Sequence, residues 1–270
     1  MFDFSGKTAV VTGAGGAIGG DVALGLARAG AGVAIWDLLA DAAEQKAETI
    51  RQETSANVIA VVCDATSKPN VEEATAKTVA HFGTIDMLVN GAGGSHESTT
   101  TSSKLTFFDI KPDDTQRVID LNYLTAVIPS QVVGRLFAEK GGGAIVNITS
   151  VGGELPLSRA LAYSNGKAAA DSFTRWLAVH MATTYAPEIR VNAVAPGFMI
   201  TDQNRFLLVD EQTGELTERG ETILKNVPSG RFGNPDEVVG GVLWLLSEQA
   251  SFVNGAIVPI DGGFTAFAGV

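Results

Sequence analysis

The run TAVVTGAGGAIGGDVALGLARAGAGVAIWD, residues 8–37, decides the fold. It reads as a strand at 8–12, a glycine cluster, a helix at 18–29 and a second strand at 32–37. The apolar TAVVT lacks alternation, which suits a strand covered on both faces. Gly13, Gly15, Gly16, Gly19 and Gly20 permit a tight turn and close backbone approach, and a helix beginning near Ile18 offers amide hydrogens and a positive dipole end. Such a loop suits the pyrophosphate of a dinucleotide. The spacing departs from GxGxxG, because the third glycine counted from Gly13 would fall at Ile18, and a glycine cluster by itself also fits an ordinary turn. Asp37 narrows the choice. It ends the second strand about 20 residues beyond the loop, where a carboxylate can accept hydrogen bonds from the adenosine ribose hydroxyls. Its neighbours Trp36 and Leu38 bring no positive charge for a 2′-phosphate, so the expected cofactor is NAD rather than NADP. Asp64, with Ala65 after it, follows the third strand and is placed to meet the adenine or else to cap the turn before Lys68.

Outward from this unit the pattern repeats. Apolar runs at 58–63, 86–90, 144–149, 190–196 and 256–261 alternate with helical stretches at 39–53, 68–82, 112–139, 160–185 and 235–248. Pro112 and Pro235 suit first-turn positions, where a missing amide hydrogen costs little. The alternation predicts an α/β fold: one domain over 1–270, a Rossmann-type doubly wound seven-stranded parallel sheet with helices on both faces. Two connections run long, the Ser/Thr-rich 94–111 with its Phe107–Phe108 pair and the segment 198–227. Both leave strands at carboxyl ends, where ligands of open sheets bind, so they are expected as substrate loops; the plain alternative is a surface loop.

The 270 residues are 45% hydrophobic and 18% charged, which excludes a disordered or fibrous chain. A net charge of −11 opposes the phosphate backbone, so no nucleic-acid partner is expected. No uncharged apolar segment reaches about 18 residues, and the opening MFDFSGK has no signal-like pattern, so the chain reads as cytoplasmic with no membrane partner. The single Cys63 closes an apolar run and reads as a core residue. His81, His96 and His180 show no ligand spacing, and no metal site is expected.

The chemistry is carried by a second constellation. Tyr163 and Lys167 stand four apart in AYSNGKAA, so a helix puts both on one face, and Ser150 lies upstream in IVNITSVGG. A phenol, an ammonium and a hydroxyl can move a proton while a hydride moves elsewhere. Free tyrosine titrates near about 10, so a base acting near neutrality needs its anion favoured by roughly 4 kcal/mol, with Lys167 and an oxidised nicotinamide as sources of positive charge. Taken singly, Tyr163 also reads as a packing tyrosine and Lys167 as a solvated lysine.

With these residues assembled, the chain resembles the short-chain dehydrogenase/reductase family along essentially its whole length. TGAGGAIG at 12–19 resembles the family's TGxxxGxG loop, with Ala17 where the middle glycine usually stands. NGAG at 90–93 resembles its NNAG element, with Gly91 replacing the second asparagine. The resemblance implies that Thr12, Gly13, Gly15, Gly16, Ala17, Ile18 and Gly19, with Asn90, Gly91, Ala92 and Gly93, hold the cofactor. It implies catalytic roles for Asn122 of DLN, Ser150, Tyr163 and Lys167, the last two also touching the cofactor. Pro196 and Gly197 of APG, which matches the family's PG element after the sixth strand, would contact the cofactor, and Thr201 would bind the nicotinamide carboxamide. Ser150 would bond the substrate oxygen, and Asn122 would hold a water linking Lys167 to solvent. A homotetramer or homodimer, built partly through the helices near 112–139 and 160–185, is implied as well.

The segment GFMITDQNRFLL at 197–208 and the run DEQTGELTERGETILKNVPSGRFGNPDE at 210–237, with GAGGSH at 91–96, TFFD at 106–109 and the ending DGGFTAFAGV, resemble the D-mannonate oxidoreductase (fructuronate reductase) branch of that family. Gln203, Asn204 and Arg205 offer amide and guanidinium donors suited to a polyhydroxylated carboxylate, and Ser95 and His96 could add hydroxyl contacts. Arg205 equally reads as a lid anchor through Asp202 or Asp210. Steroid or acyl-chain ketones fit a polar QNR lid poorly. The rivals are a dehydrogenase of another sugar, polyol or sugar acid such as gluconate, and, from another class, a nucleotide-sensing protein without turnover.

Overall fold

The computed structural model describes residues 2–201, 204–210 and 213–269. Seven strands form one parallel sheet: β1 (Thr8–Thr12), β2 (Gly32–Asp37), β3 (Val58–Val62), β4 (Met87–Asn90), β5 (Gly143–Ile148), β6 (Ile189–Pro196) and β7 (Ile257–Ile260). Their order across the sheet is β3-β2-β1-β4-β5-β6-β7. The chain winds outward from β1 to β3, then returns to lay β4 against the other side of β1, with Val11 beside Val89. The carboxyl ends of β1 and β4 therefore diverge into loops at a switch point, where open α/β sheets bind ligands.

The unalternating apolar runs have the physical cause expected of them: both faces of the sheet are covered. Val11, Ile35 and Val146 face Val22 and Leu26 of α1 (Ala17–Arg28), Ile50 of α2 (Ala40–Thr54) and Val242 of α9 (Val239–Leu246). Their neighbours Val10, Ala34 and Ile145 point the other way, towards Val71 of α3 (Lys68–Phe82), Phe137 of α4 (Pro112–Lys140) and Phe173 of α6 (Leu161–Thr184). The period of two within each strand thus feeds two apolar layers.

Two stretches differ from the sequence reading. The helix expected at 235–248 is divided into a 3₁₀ turn at Pro235–Val238, α9 at Val239–Leu246 and a second 3₁₀ turn at Glu248–Ala250. Arg190 of β6 ends α9 by donating to the carbonyls of Leu245, Leu246 and Ser247 at 2.6, 3.2 and 3.1 Å, taking acceptors a continuing helix would need. The long connection after β6 holds α7 (Arg205–Leu208) and α8 (Glu218–Leu224), tied by an antiparallel bridge between Val209 and Leu216. The remaining short helix, α5 (Val151–Glu154), follows β5. Among the described residues no helix is long and apolar enough to cross a membrane.

Candidate active site

The loop after β1 is built by backbone approach. Gly13 has φ of +67°, and a Cβ there would lie 2.7 Å from Ala92 Cα. A Cβ at Gly91 would lie 2.8 Å from Thr12 O, which accounts for glycine where the family pattern has asparagine. Thr12 Oγ1 accepts from the amides of Gly91 and Ala92 at 3.1 and 3.2 Å, and the residue is buried. Thr12 therefore latches the β1 and β4 loops together, and its hydroxyl is used inside the protein. A Cβ on Gly19 would come 2.6 Å from Gly13 O, so α1 rests directly on the loop. Gly16 is the N-cap of α1 and supplies no side-chain acceptor, leaving the first-turn amides of Ala17, Ile18 and Gly19 without a side-chain cap.

Asp37 closes this cradle. Its Oδ2 accepts from Gly15 N at 2.9 Å and its Oδ1 from Leu39 N at 3.0 Å, so the carboxylate at the end of β2 is held against the glycine loop. Uncapped amides, a loop that a Cβ at Gly13, Gly15 or Gly19 would crowd and an adjacent carboxylate together fit a dinucleotide. Asp64 takes the turn-capping alternative: its Oδ1 accepts from Thr66 N and Oγ1 at 2.9 and 2.6 Å, with Ala65 buried beside it. Asn90 departs from the expected contact. Its side chain turns into the protein, donating to Ala126 O, Ser130 Oγ and Asn147 Oδ1 at 3.3, 3.1 and 2.8 Å, because β4 lies beneath α4 and buries this position.

The chemical groups meet at the ends of β4, β5 and α6. Ser150 caps α5, its Oγ accepting from Gly152 N at 3.0 Å. Tyr163 lies in the first turn of α6 and Lys167 one turn on, with Nζ 5.8 Å from the Tyr163 ring centroid. Lys167 Nζ donates to Ile148 O at 2.9 Å. Asn122 of α4 holds the β4 loop from both sides: its Oδ1 accepts from Gly94 N at 3.1 Å, and its Nδ2 donates to Gly94 O at 2.7 Å and Val118 O at 2.9 Å. Gly166 lets α4 and α6 approach, since a Cβ there would lie 2.8 Å from Asn122 Cβ.

The electrostatics differ from the simple expectation of a depressed tyrosine. Burial pushes the Tyr163 phenol up, and the neighbouring Ser150 hydroxyl pulls it back only in part. Burial also lowers Lys167 to about 8, against the attraction of Asp171. That corresponds to about 3 kcal/mol against the ammonium. Lys167 remains mostly charged at neutral pH, but the protein alone does not lower the phenol.

Ser150, Tyr163 and Lys167 line one cavity of about 300 Å³, together with Ile18, Gly91, Gly93, Pro196, Gly197 and Thr201. Its outer wall is the lid after β6, contributing Phe198, Met199, Leu208, Arg219 and Ile223. That wall is more apolar than the QNR sequence suggested. Of the expected substrate residues, Asn204 lines the cavity, yet its side chain is engaged with its own turn, accepting from Thr201 N and donating to Met199 O, both at 2.8 Å. Gln203 lies outside the described residues, as does Asp202, one of the two anchors considered for Arg205. Arg205 itself is exposed, outside the cavity lining and without an ion pair among the described residues. Ser95 and His96 also stand outside the lining: Ser95 Oγ pairs with Thr100 Oγ1 at 3.2 Å, and His96 caps its own 3₁₀ turn through Ser98 N. Short polar turns satisfy these side chains locally and so withdraw them from the cavity.

Arg219 is the guanidinium that does face the cavity, and the sequence reading passed over it. A local signal existed. Thr217 caps α8 by accepting from Gly220 N at 3.1 Å, and Arg219 and Ile223 are four apart, hence on one helical face. Burial, then the positive charge of Arg159, lower the Arg219 guanidinium from its ordinary value.

Known proteins resemble this chain in sequence and in fold. The family profile described as enoyl-(acyl carrier protein) reductase matches residues 13–265. The oxidoreductase UxuB of Bacillus subtilis, itself uncharacterized, is 38% identical over 99% of this chain and 98% of its own length. A solved structure from Haemophilus influenzae, provisionally designated a D-mannonate oxidoreductase and holding NAD, superposes with a TM-score of 0.93 at 38% identity, covering 100% of this chain and 98% of its own. The 7alpha-hydroxysteroid dehydrogenase of Escherichia coli is 33% identical over 96% of this chain and 94% of its own length. The sheet, the glycine loop and these whole-length matches together make the chain a member of the short-chain dehydrogenase/reductase family of oxidoreductases.

Proposed function

We propose that this protein is an NAD-dependent oxidoreductase interconverting a secondary alcohol and a ketone on a sugar acid of the D-mannonate/D-fructuronate type. The observation that carries the reading is one cavity lined at once by Ser150, Tyr163, Lys167 and the guanidinium of Arg219. NAD is favoured by Asp37, and it is the cofactor held by the Haemophilus influenzae relative. When bound, NAD supplies the hydride acceptor or donor at its nicotinamide C4.

The chain's own residues do the rest. The α1 amides and the glycine loop bind the pyrophosphate, Asp37 the adenosine ribose, and Pro196, Gly197 and Thr201 border the nicotinamide. Tyr163 Oη takes the hydroxyl proton in oxidation and returns it in reduction, while Ser150 Oγ donates to the substrate oxygen as charge develops there. Lys167 places a positive charge beside the phenol, and the lowering that burial works against must be completed when the positive nicotinamide ring is present. Asn122 fixes the β4 loop at Gly94, a positioning role alongside any proton path to solvent.

The outer face of α6 leaves Trp176 and Val179 well exposed, which supports assembly through this helix into a homodimer or homotetramer. Light scattering of the purified chain tests this.

The deciding assay follows NADH with D-mannonate, D-gluconate and a 7α-hydroxysteroid, in parallel with NADP. Turnover with NAD, greatest for D-mannonate, supports the reading; nucleotide binding without turnover of any alcohol would leave a sensor. The apolar Phe198, Met199, Leu208 and Ile223 favour a second reading, a hydroxy acid with a less polar body, and a preference for the steroid would select it.

A further inference from the structure

One guanidinium, that of Arg219, lines the substrate cavity, and the exposed Arg159, outside the lining, is near enough for its charge to act on it. Arg219 is half-buried and lines the cavity beside Ile223. Its direction is set by packing: Thr217 caps α8, and a Cβ on Gly220 would run into Leu208 O, so the Gly220 side of α8 is pressed against α7 and the Arg219–Ile223 side is left facing inward. Among the described residues Arg219 has no hydrogen-bond or ion-pair partner, and the charge acting on it is another cation, Arg159. Arg159 belongs to the segment between α5 and α6, which is pinned to the 94–111 loop by Thr101 N donating to Arg159 O at 2.9 Å and by the Thr100–Ala160 bridge. Arg190, likewise withdrawn from solvent, is bonded to three carbonyls, so an unsatisfied inward guanidinium is not the rule in this protein. A half-desolvated guanidinium is suited to bidentate pairing with a carboxylate, and a second cation nearby raises the gain.

We infer that Arg219, reinforced by Arg159, is the carboxylate-binding subsite of this cavity, so that the enzyme selects alcohols and ketones carrying an anionic group, and that Arg205 is not that subsite. The subsite belongs to α8, whereas Ser150 and Tyr163 come from the end of β5 and from α6, so the carboxylate it binds is a group of the substrate other than the reacting carbon. The inference rests on the dehydrogenase reading of the same cavity.

The test compares Arg219→Ala, Arg219→Lys, Arg159→Ala and Arg205→Ala on D-mannonate and on its uncharged amide. A charge-assisted pair predicts that R219A lowers kcat/KM for the acid about 10–100-fold and for the amide less than about twofold, while R205A leaves both within about twofold. R219K should recover part of the loss, and R159A should lose about threefold. Circular dichroism and NAD affinity of R219A unchanged from wild type exclude misfolding. Equal losses on acid and amide, no loss on either, or the selective loss appearing in R205A overturns the inference. If the wild type turns over no alcohol, the dehydrogenase reading fails by itself, and calorimetry decides the subsite. Sugar-acid binding with NAD present should then weaken in R219A; binding that is unchanged, or absent already in the wild type, overturns it.

Discussion

The β1 loop and the lid after β6 flank the same cavity and are held in opposite ways. In the β1 loop, backbone lies on backbone: Gly13 against Ala92, Gly91 against Thr12, Gly19 against Gly13, with no room for a Cβ at any of the three glycines. In the lid, short turns close on themselves, as in the pairing of Asn204 with Met199 and Thr201, and the left-handed Gly214 has open space where a Cβ would stand. The difference teaches how one scaffold serves many substrates. A cofactor loop locked to two strands of the sheet tolerates little change, whereas a lid built of local turns can be rewritten without disturbing the sheet.

The largest effect should come from the chemical edge between the two regions. Tyr163→Phe should lower kcat about 10³-fold while NAD affinity, measured by fluorescence titration, stays within about twofold; a comparable loss of NAD binding would mean the phenol belongs to the nucleotide region instead. Next comes a matched pair of glycines, both with positive φ, +67° at Gly13 and +72° at Gly214. Gly13→Ala adds a steric overlap with Ala92 to the left-handed penalty and should cost about 3 kcal/mol, seen as a Tm lower by roughly 6–10 °C. Gly214→Ala should cost about 1 kcal/mol, and equal Tm losses in the two variants would break the comparison outright.

A smaller effect should be confined to one region. Asp37→Ala removes the acceptor for Gly15 N and the acceptor proposed for the ribose, so the Kd for NAD should rise about tenfold with the substrate KM little changed. If the substrate KM rises as much as the Kd, the two regions are coupled and the separation is wrong. The smallest effect concerns Asp171, buried one turn beyond Lys167, whose carboxylate favours the Lys167 ammonium. Asp171→Asn withdraws that attraction, so the proton leaves Lys167 at lower pH. The limb of the pH–rate profile that reports Lys167 should move below about 8, with a few-fold change in rate at neutral pH. A limb that stays put or moves upward shows that Asp171 does not act on the lysine.

The sequence by itself determined the sheet and singled out Ser150, Tyr163 and Lys167 as candidate reacting groups, which line one cavity. Strands covered on both faces must be apolar throughout, so their runs announce themselves, and helix geometry alone brings Tyr163 and Lys167 to one face. What only the tertiary structure decided is which polar side chains have anything left to offer a ligand. Thr12 and Asn90 are cofactor positions by resemblance, yet the convergence of β1, β4 and α4 turns both side chains inward, Thr12 onto the Gly91 and Ala92 amides and Asn90 onto Asn147. Ser95, His96 and Asn204 are engaged by their own turns. Arg205 and Arg219 are the same residue type in the same lid, and the local signal at Arg219, a Thr217 cap and an apolar Ile223 four residues on, gives it a helical face without saying where that face points. That direction comes from the contact of Gly220 with Leu208, which sets the rotation of α8 and with it the guanidinium that faces the cavity. Such a contact joins residues that the fold brings together, and burial then decides the electrostatics: the same desolvation that lowers Lys167 to about 8 raises Tyr163, a balance that depends on what surrounds each group rather than on its place in the chain.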